Sequence, residues 1–229
     1  LEIFLEEIKI ITMLSKLIYF LSKIRSYAFC FKHLPYRQAK LCPILLHWRT
    51  KVYVSKDAEI VIAHPRKYGI RIGIWGGSYS LANRRSMFLI FDEGKVLFDG
   101  TASFSKGTHV IVRGKGKLTV GYKFFCNANC NIFCNKFITF GLDNLLGWNI
   151  TLLDSDGHDT YVCNVRQDSQ KEIVLGDHVW IGANSTILKG VCLANNTIIP
   201  YGSVIHKSNQ EENVVFQNKV LKTDIHWKD

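Results

Sequence analysis

The sequence is poor in several things at once. It holds 4 Pro and 2 Met in 229 residues, and none of its 7 Cys forms a Cys-x-x-Cys pair. Few prolines beside 17 Gly exclude a collagen-like repeat. An odd cysteine count without paired spacing argues against a secreted disulfide framework. No run of ~20 apolar residues occurs, so no helix is expected to span a bilayer. No small-residue cleavage site follows the apolar N-terminal stretch, so no signal peptide is expected and the expected location is cytoplasmic. Acidic residues are missing from Glu7 to Asp57, a stretch that holds Lys9, Lys16, Lys23, Arg25, Lys32, Arg37, Lys40, Arg49 and Lys51. Apolar material is abundant. The chain is 47% hydrophobic, with 14 Phe, 9 Tyr and 5 Trp, which excludes disorder. Its net charge of +10 suits a polyanionic or membrane-surface partner without naming one. No nucleic-acid-binding motif accompanies the charge, so no nucleic-acid partner is expected.

Residues 13–31 read as a helix. Lys16, Tyr19, Lys23 and Ser26 share one face, and Leu14, Leu17, Ile18, Leu21 and Ile24 cover most of the rest. Such a basic amphipathic helix either packs on the main domain or another subunit, or lies peripherally in an anionic membrane interface. Residues 1–51 are taken as this N-terminal basic region.

A six-residue period organises the C-terminal half. Apolar residues recur at Leu175, Ile181, Ile187, Leu193, Ile199 and Ile205 without a miss. The fifth place of each hexad holds Val179, Ser185, Val191, Thr197 or Ser203, all small or β-branched. Neither 3.6 nor 2 divides this pattern cleanly. It fits a solenoid with three short strands per coil, each aliphatic residue stacking on its equivalent about 4.8 Å away. Phe140, Leu146 and Leu152 repeat the phase upstream, as do Val120, Cys126 and Ile132, and Phe98, Phe104 and Val110. A parallel β-helix is therefore expected over 52–206. Its regular coils run from about residue 96, earlier hexads at 52–74 are weak, and a long loop leaves the coil at about 154–172. Residues 207–229 form a C-terminal tail. Cys126, Cys130 and Cys134, spaced by four, read as buried thiols used as small apolar residues, and no metal site is expected.

The run Val179-Trp180-Ile181-Gly182-Ala183-Asn184, continuing through Ile187-Leu188-Lys189-Gly190-Val191, resembles the left-handed β-helix hexapeptide acyltransferases. The segment from Trp148 to His158, ending Asp154-Ser155-Asp156-Gly157-His158, is similar to their maltose, galactoside and polysaccharide O-acetyltransferase branch. The resemblance covers residues 96–228 or so, and it supplies the left hand of the helix.

Among 8 His, His158 stands apart, at the root of the long loop with Asp154, Asp156 and Asp159 beside it. A carboxylate near an imidazole raises its basicity, which deprotonating a hydroxyl requires. The resemblance makes His158 the general base, with Asp156 its catalytic neighbour. It implies acetyl-CoA as co-substrate, with no metal and no covalent intermediate. Ala183 and Tyr201 then match positions along the pantetheine arm, although the family usually has Ala where Tyr201 stands. His206 and Lys207 match a pair that binds the far part of CoA, and Lys219 and Lys222 match basic residues suited to its phosphates. The Pro-Ala that usually precedes the first of these is absent. Asn127 and Trp180 match acceptor-binding positions.

The resemblance implies an O-acetyltransferase of a sugar hydroxyl in capsule, lipopolysaccharide or exopolysaccharide synthesis. It implies a homotrimer with sites between subunits. The carbohydrate acceptor is free, nucleotide-linked or lipid-linked, and the last would suit the inner face of the membrane. The alternative is N-acetylation of a nucleotide-linked amino sugar. Zinc carbonic anhydrases share the fold but need three His, and only His158 is well placed. A scaffold solenoid would lack the intact motif.

Overall fold

The computed structural model describes residues 2–74 and 84–228, with side chains from residue 12 onward, so Lys9 lies outside the described side chains. Two helices come first, α1 (Glu2–His33) and α2 (Tyr36–Ala39). Short strands follow, wound into a three-faced prism whose faces are parallel sheets of nine, seven and six strands, the nine including one antiparallel strand at the end. Each strand pairs with the strand one coil before and one coil after, so the ladder satisfies its backbone.

The hexads stack as the period requires. On the first face Phe104, Cys126, Leu146, Ile181 and Ile199 are in register. On the second, Val110, Ile132, Leu152, Ile187 and Ile205 align. On the third, Phe98, Val120, Phe140, Leu175 and Leu193 align. All fifteen are buried. The β-helix is left-handed.

The coils begin earlier than the boundary at residue 52. Ile44–Leu46 is the first strand of the first face and pairs with Ile70–Ile72. The reason lies in the width of the prism. Inward residues that end successive sides are eight apart at Leu46, Val54 and Ile62, but six apart at Ile181, Ile187 and Leu193. The prism thus tapers from the N-terminal to the C-terminal end. Large rings fill its wide part: Phe88, Phe98, Phe104, Phe124 and Phe140 form a chain with centroids 4.6 to 6.5 Å apart. Aliphatic residues suffice where it narrows.

Both ends are covered. The second half of α1 lies on the first coil, where Ser26 Oγ accepts from Leu46 N at 2.8 Å and Ser22 Oγ accepts from Trp48 N at 3.0 Å. Phe29, Cys30 and Leu34 are buried beside them. At the other end Val214–Phe216 adds to the first face, and Val220–Lys222 turns back antiparallel. Open ends of such arrays need this capping.

Candidate functional site

The corner between the first and second faces repeats one backbone shape. Asn129, Asn149, Asn184 and Gly202 stack there with φ of 64°, 56°, 59° and 69°. Asn and Gly tolerate this left-handed conformation, which turns the chain sharply onto the next face. Asn149 Nδ2 donates to Asn184 Oδ1 at 2.8 Å, and Asn184 touches the Tyr201 hydroxyl. Register brings Trp148, Ala183 and Tyr201 into one column at this corner, with Asn127 beside it. A larger residue than glycine fails at the adjoining position: a Cβ on Gly147 would lie 2.7 Å from Ala183 N. Tyr201 is exposed, and its ring stands where a smaller side chain would leave the surface flat.

His158 lies elsewhere. The long loop departs from the corner between the second and third faces, after strand Thr151–Leu153, and rejoins at Ile173–Leu175. It carries an exposed antiparallel hairpin, Tyr161–Val162 with Val165–Arg166. Asp154 anchors its root. This carboxylate is fully buried, where the inward column of the second face holds Val112 and Cys134 in the preceding coils. Its Oδ1 accepts from Asn135 N at 2.8 Å, and its Oδ2 accepts from Lys136 N at 2.8 Å. Burial pushes the Asp154 carboxyl up, while the Asn135 and Lys136 N–H groups pull it down. Asp154 is thus a structural strut.

The loop is fixed a second time. Lys189 Nζ lies 2.5 Å from Asp156 Oδ2 and donates to Asp168 O at 2.5 Å. Asp159 pairs with Arg166 at 2.8 Å. The three carboxylates near His158 are therefore engaged by backbone, lysine and arginine, and none of them contacts the imidazole. Asp156 had been expected beside it. The nearby Lys189 ammonium, of opposite charge, takes that carboxylate instead. His158 is exposed and has no hydrogen-bond partner among the described residues. Sequence reasoning missed Lys189, although it lies inside the Ile-Leu-Lys-Gly-Val run; lysines on this fold read as surface charge until a partner is known.

The remaining sites form two groups. Asn218 Oδ1 accepts from His206 N at 2.9 Å and Lys207 N at 3.2 Å, and its Nδ2 donates to Val204 O at 2.8 Å. That clamp sets the exposed Lys219 next to His206 and Lys207, with Lys222 on the adjoining strand. Trp180 lies on the outer surface of the first face. Its ring centroid is 6.0 Å from Trp227, which stacks flat on His178 at 3.8 Å. The tail thus leans on Trp180, and Asp143 holds His178 from behind at 3.3 Å. A cavity of about 690 Å³ opens on the same face between Arg66, Arg71, Lys123, Asp143 and Trp227, away from His158.

Within one chain, then, His158 and the Ala183–Tyr201 column stand at different corners, on either side of the second face. Cys126, Cys130 and Cys134 are buried in the core, and burial pushes the Cys126 and Cys134 thiols up. No cluster of three or more His, Cys, Asp or Glu suited to a metal occurs among the described residues.

The fold is a left-handed β-helix whose coils are built on a six-residue repeat. Residues 172–207 match the bacterial transferase hexapeptide family (six repeats). The chain is similar to the galactoside O-acetyltransferase of Escherichia coli (strain K12), 31% identical over 91 residues, 38% of this chain and 44% of that protein. It is similar to the polysialic acid O-acetyltransferase of Escherichia coli O1:K1 / APEC, 28% identical over 127 residues, 54% of this chain and 39% of that protein. Among solved structures, the polysialic acid O-acetyltransferase OatWY shares the fold with a TM-score of 0.51 at 22% identity, over 81% of this chain and 90% of that one. The chain spans less than half the length of the first curated relatives it matches.

Proposed function

We propose that this protein is an acetyl-CoA-dependent O-acetyltransferase of a sugar hydroxyl, acting in the synthesis of a bacterial surface polysaccharide. The observation that carries this is the placement of His158: exposed, free of internal partners, and held on a loop that Asp154 and Lys189 both anchor. Named relatives of the matched segments acetylate galactosides and polysialic acid, which supports the carbohydrate acceptor.

The chemistry needs one base. His158 takes the proton of the acceptor hydroxyl as its oxygen attacks the thioester carbonyl. A backbone N–H at the Asn-lined corner, near Ala183, stabilises the developing oxyanion. The proton then passes from His158 to the departing CoA thiolate, so atoms and charge balance. Asp156 acts through Lys189, fixing the loop rather than polarising the imidazole. Lys207, Lys219 and Lys222 meet the CoA phosphates, and Tyr201 borders the pantetheine path. Asn127 and Trp180 meet the acceptor.

His158 and Ala183 lie at different corners of one prism, so a site that uses both needs a second subunit. A homotrimer supplies it, with three sites between neighbours. A lipid-linked acceptor would place the enzyme at the inner face of the membrane. The test is acetyl transfer from acetyl-CoA to a panel of neutral and anionic saccharides, with mass spectrometry of the products. Acetyl esters are expected. Amide products would move the reading to N-acetylation of an amino sugar, and no binding of acetyl-CoA would end it.

A further inference from the structure

Helix α1 has three distinct sides. Its second half presents Ser22, Ser26, Phe29 and Cys30 to the first coil, all buried. On the opposite side Met13, Leu14, Leu17, Phe20, Leu21, Ile24 and Phe31 are exposed, with Met13 at 64%, Phe20 at 59% and Ile24 at 54%. At 100° per residue these seven fall within an arc of about 120°. Within residues 13–31 no charged residue interrupts the arc. Its edges are basic: Lys16 and Lys23 follow one margin, Arg25 and Lys32 the other. Lys23 leans over the Tyr19 ring at 4.4 Å, and Arg25 donates to Trp48 O beside the exposed Trp48 ring.

An exposed apolar stripe of this length is unusual on a protein surface and marks a binding face. Its charge pattern selects the occupant. Cations on both margins of an apolar arc are the arrangement in which lysine stems lie along acyl chains while their ammonium groups reach anionic headgroups. Residues 13–31 of a second copy would meet the same cations with no carboxylate to pair them, because no acidic residue occurs from Ile8 to Lys56. No helix among the described residues is long and apolar enough to cross a membrane. We infer that α1 docks the protein onto an anionic lipid surface, lying in the interface plane with residues 13–31 inserted. The capping contacts of Ser22 and Ser26 then hold the prism at a fixed angle to that surface. The inference does not depend on the acetyltransferase reading, since its readout is lipid binding.

The test is co-sedimentation of the full chain with vesicles of phosphatidylglycerol and phosphatidylcholine, against vesicles of phosphatidylcholine alone. The wild type is expected to pellet with the anionic vesicles and to be released by salt. Leu17→Glu with Ile24→Glu is expected to lower the bound fraction at least tenfold. Lys16→Glu with Lys32→Glu, which leaves the apolar arc intact, is expected to abolish the preference for anionic lipid. Circular dichroism checks that both variants keep the helix. No pelleting of the wild type, or pelleting that neither pair alters, would overturn the inference. So would a fall in solution mass with Leu17→Glu and Ile24→Glu, which would assign the stripe to another copy of the chain.

Discussion

Asp154 and His158 sit four residues apart and do opposite work. Asp154 spends a buried charge to tie two backbone N–H groups at the corner below the loop. Asp154→Ala leaves both donors without a partner. A loss of about 2 kcal/mol or more in unfolding free energy is expected from urea denaturation. A change within about 0.5 kcal/mol would show that the strut is dispensable. The Asp154-Ser155-Asp156-Gly157-His158 motif was legible in the sequence, but the division of labour within it was not. Four residues cannot reveal which carboxylate points inward, since that depends on the inward column two residues beyond Leu152. Titration behaves likewise. Burial lowers His33, His47 and His109, helped by the cations Lys32, Lys106 and Arg84 respectively. A histidine lowered on folding binds protons more readily when unfolded. Its contribution is therefore complete above the unfolded value of about 6.5 and is lost as pH falls below it. The thermal midpoint is expected to drop between pH 7 and pH 5. A midpoint that rose over that window would contradict the assignment.

At the scale of the strand and corner, the hexad is what the sequence declares most openly. Leu175, Ile181 and Ile187 repeat at six because each side of the narrow coils takes six residues. The first two coils were faint for a physical reason. Their sides take eight residues, as from Leu46 to Val54 to Ile62, so no single period of six runs through them. A glycine column at the corner between the third and first faces, which includes Gly176, lies outside the apolar six-residue pattern. Gly121 and Gly141 complete it, and a Cβ on Gly141 would lie 2.6 Å from Gly176 O. Gly141→Ala is expected to cost about 1–3 kcal/mol, since one coil must shift against the next. Phe124→Ala opens the ring stack between Phe104 and Phe140 and is expected to cost about 3–5 kcal/mol. Equal stability of either variant with the wild type would mean that the coils do not pack as described.

The whole molecule is a tapered prism with a basic helix across its wide end and a short C-terminal tail at its narrow end. Each coil pairs only with the coils before and after it, so the fold reads from the repeat while the proposed site does not. The proposed site draws on a loop at one corner and a column at another, and a neighbouring copy would bring such surfaces together. Light scattering at micromolar concentration is expected to give three times the chain mass. A monomer would remove the shared site. The central claim is that His158 is the base of a direct acetyl transfer, and it is tested most directly by acceptor-dependent release of CoA thiol from wild type and His158→Ala. The account predicts that His158→Ala lowers the rate by about 10² or more while acetyl-CoA binding persists. Release at the wild-type rate from His158→Ala would contradict it.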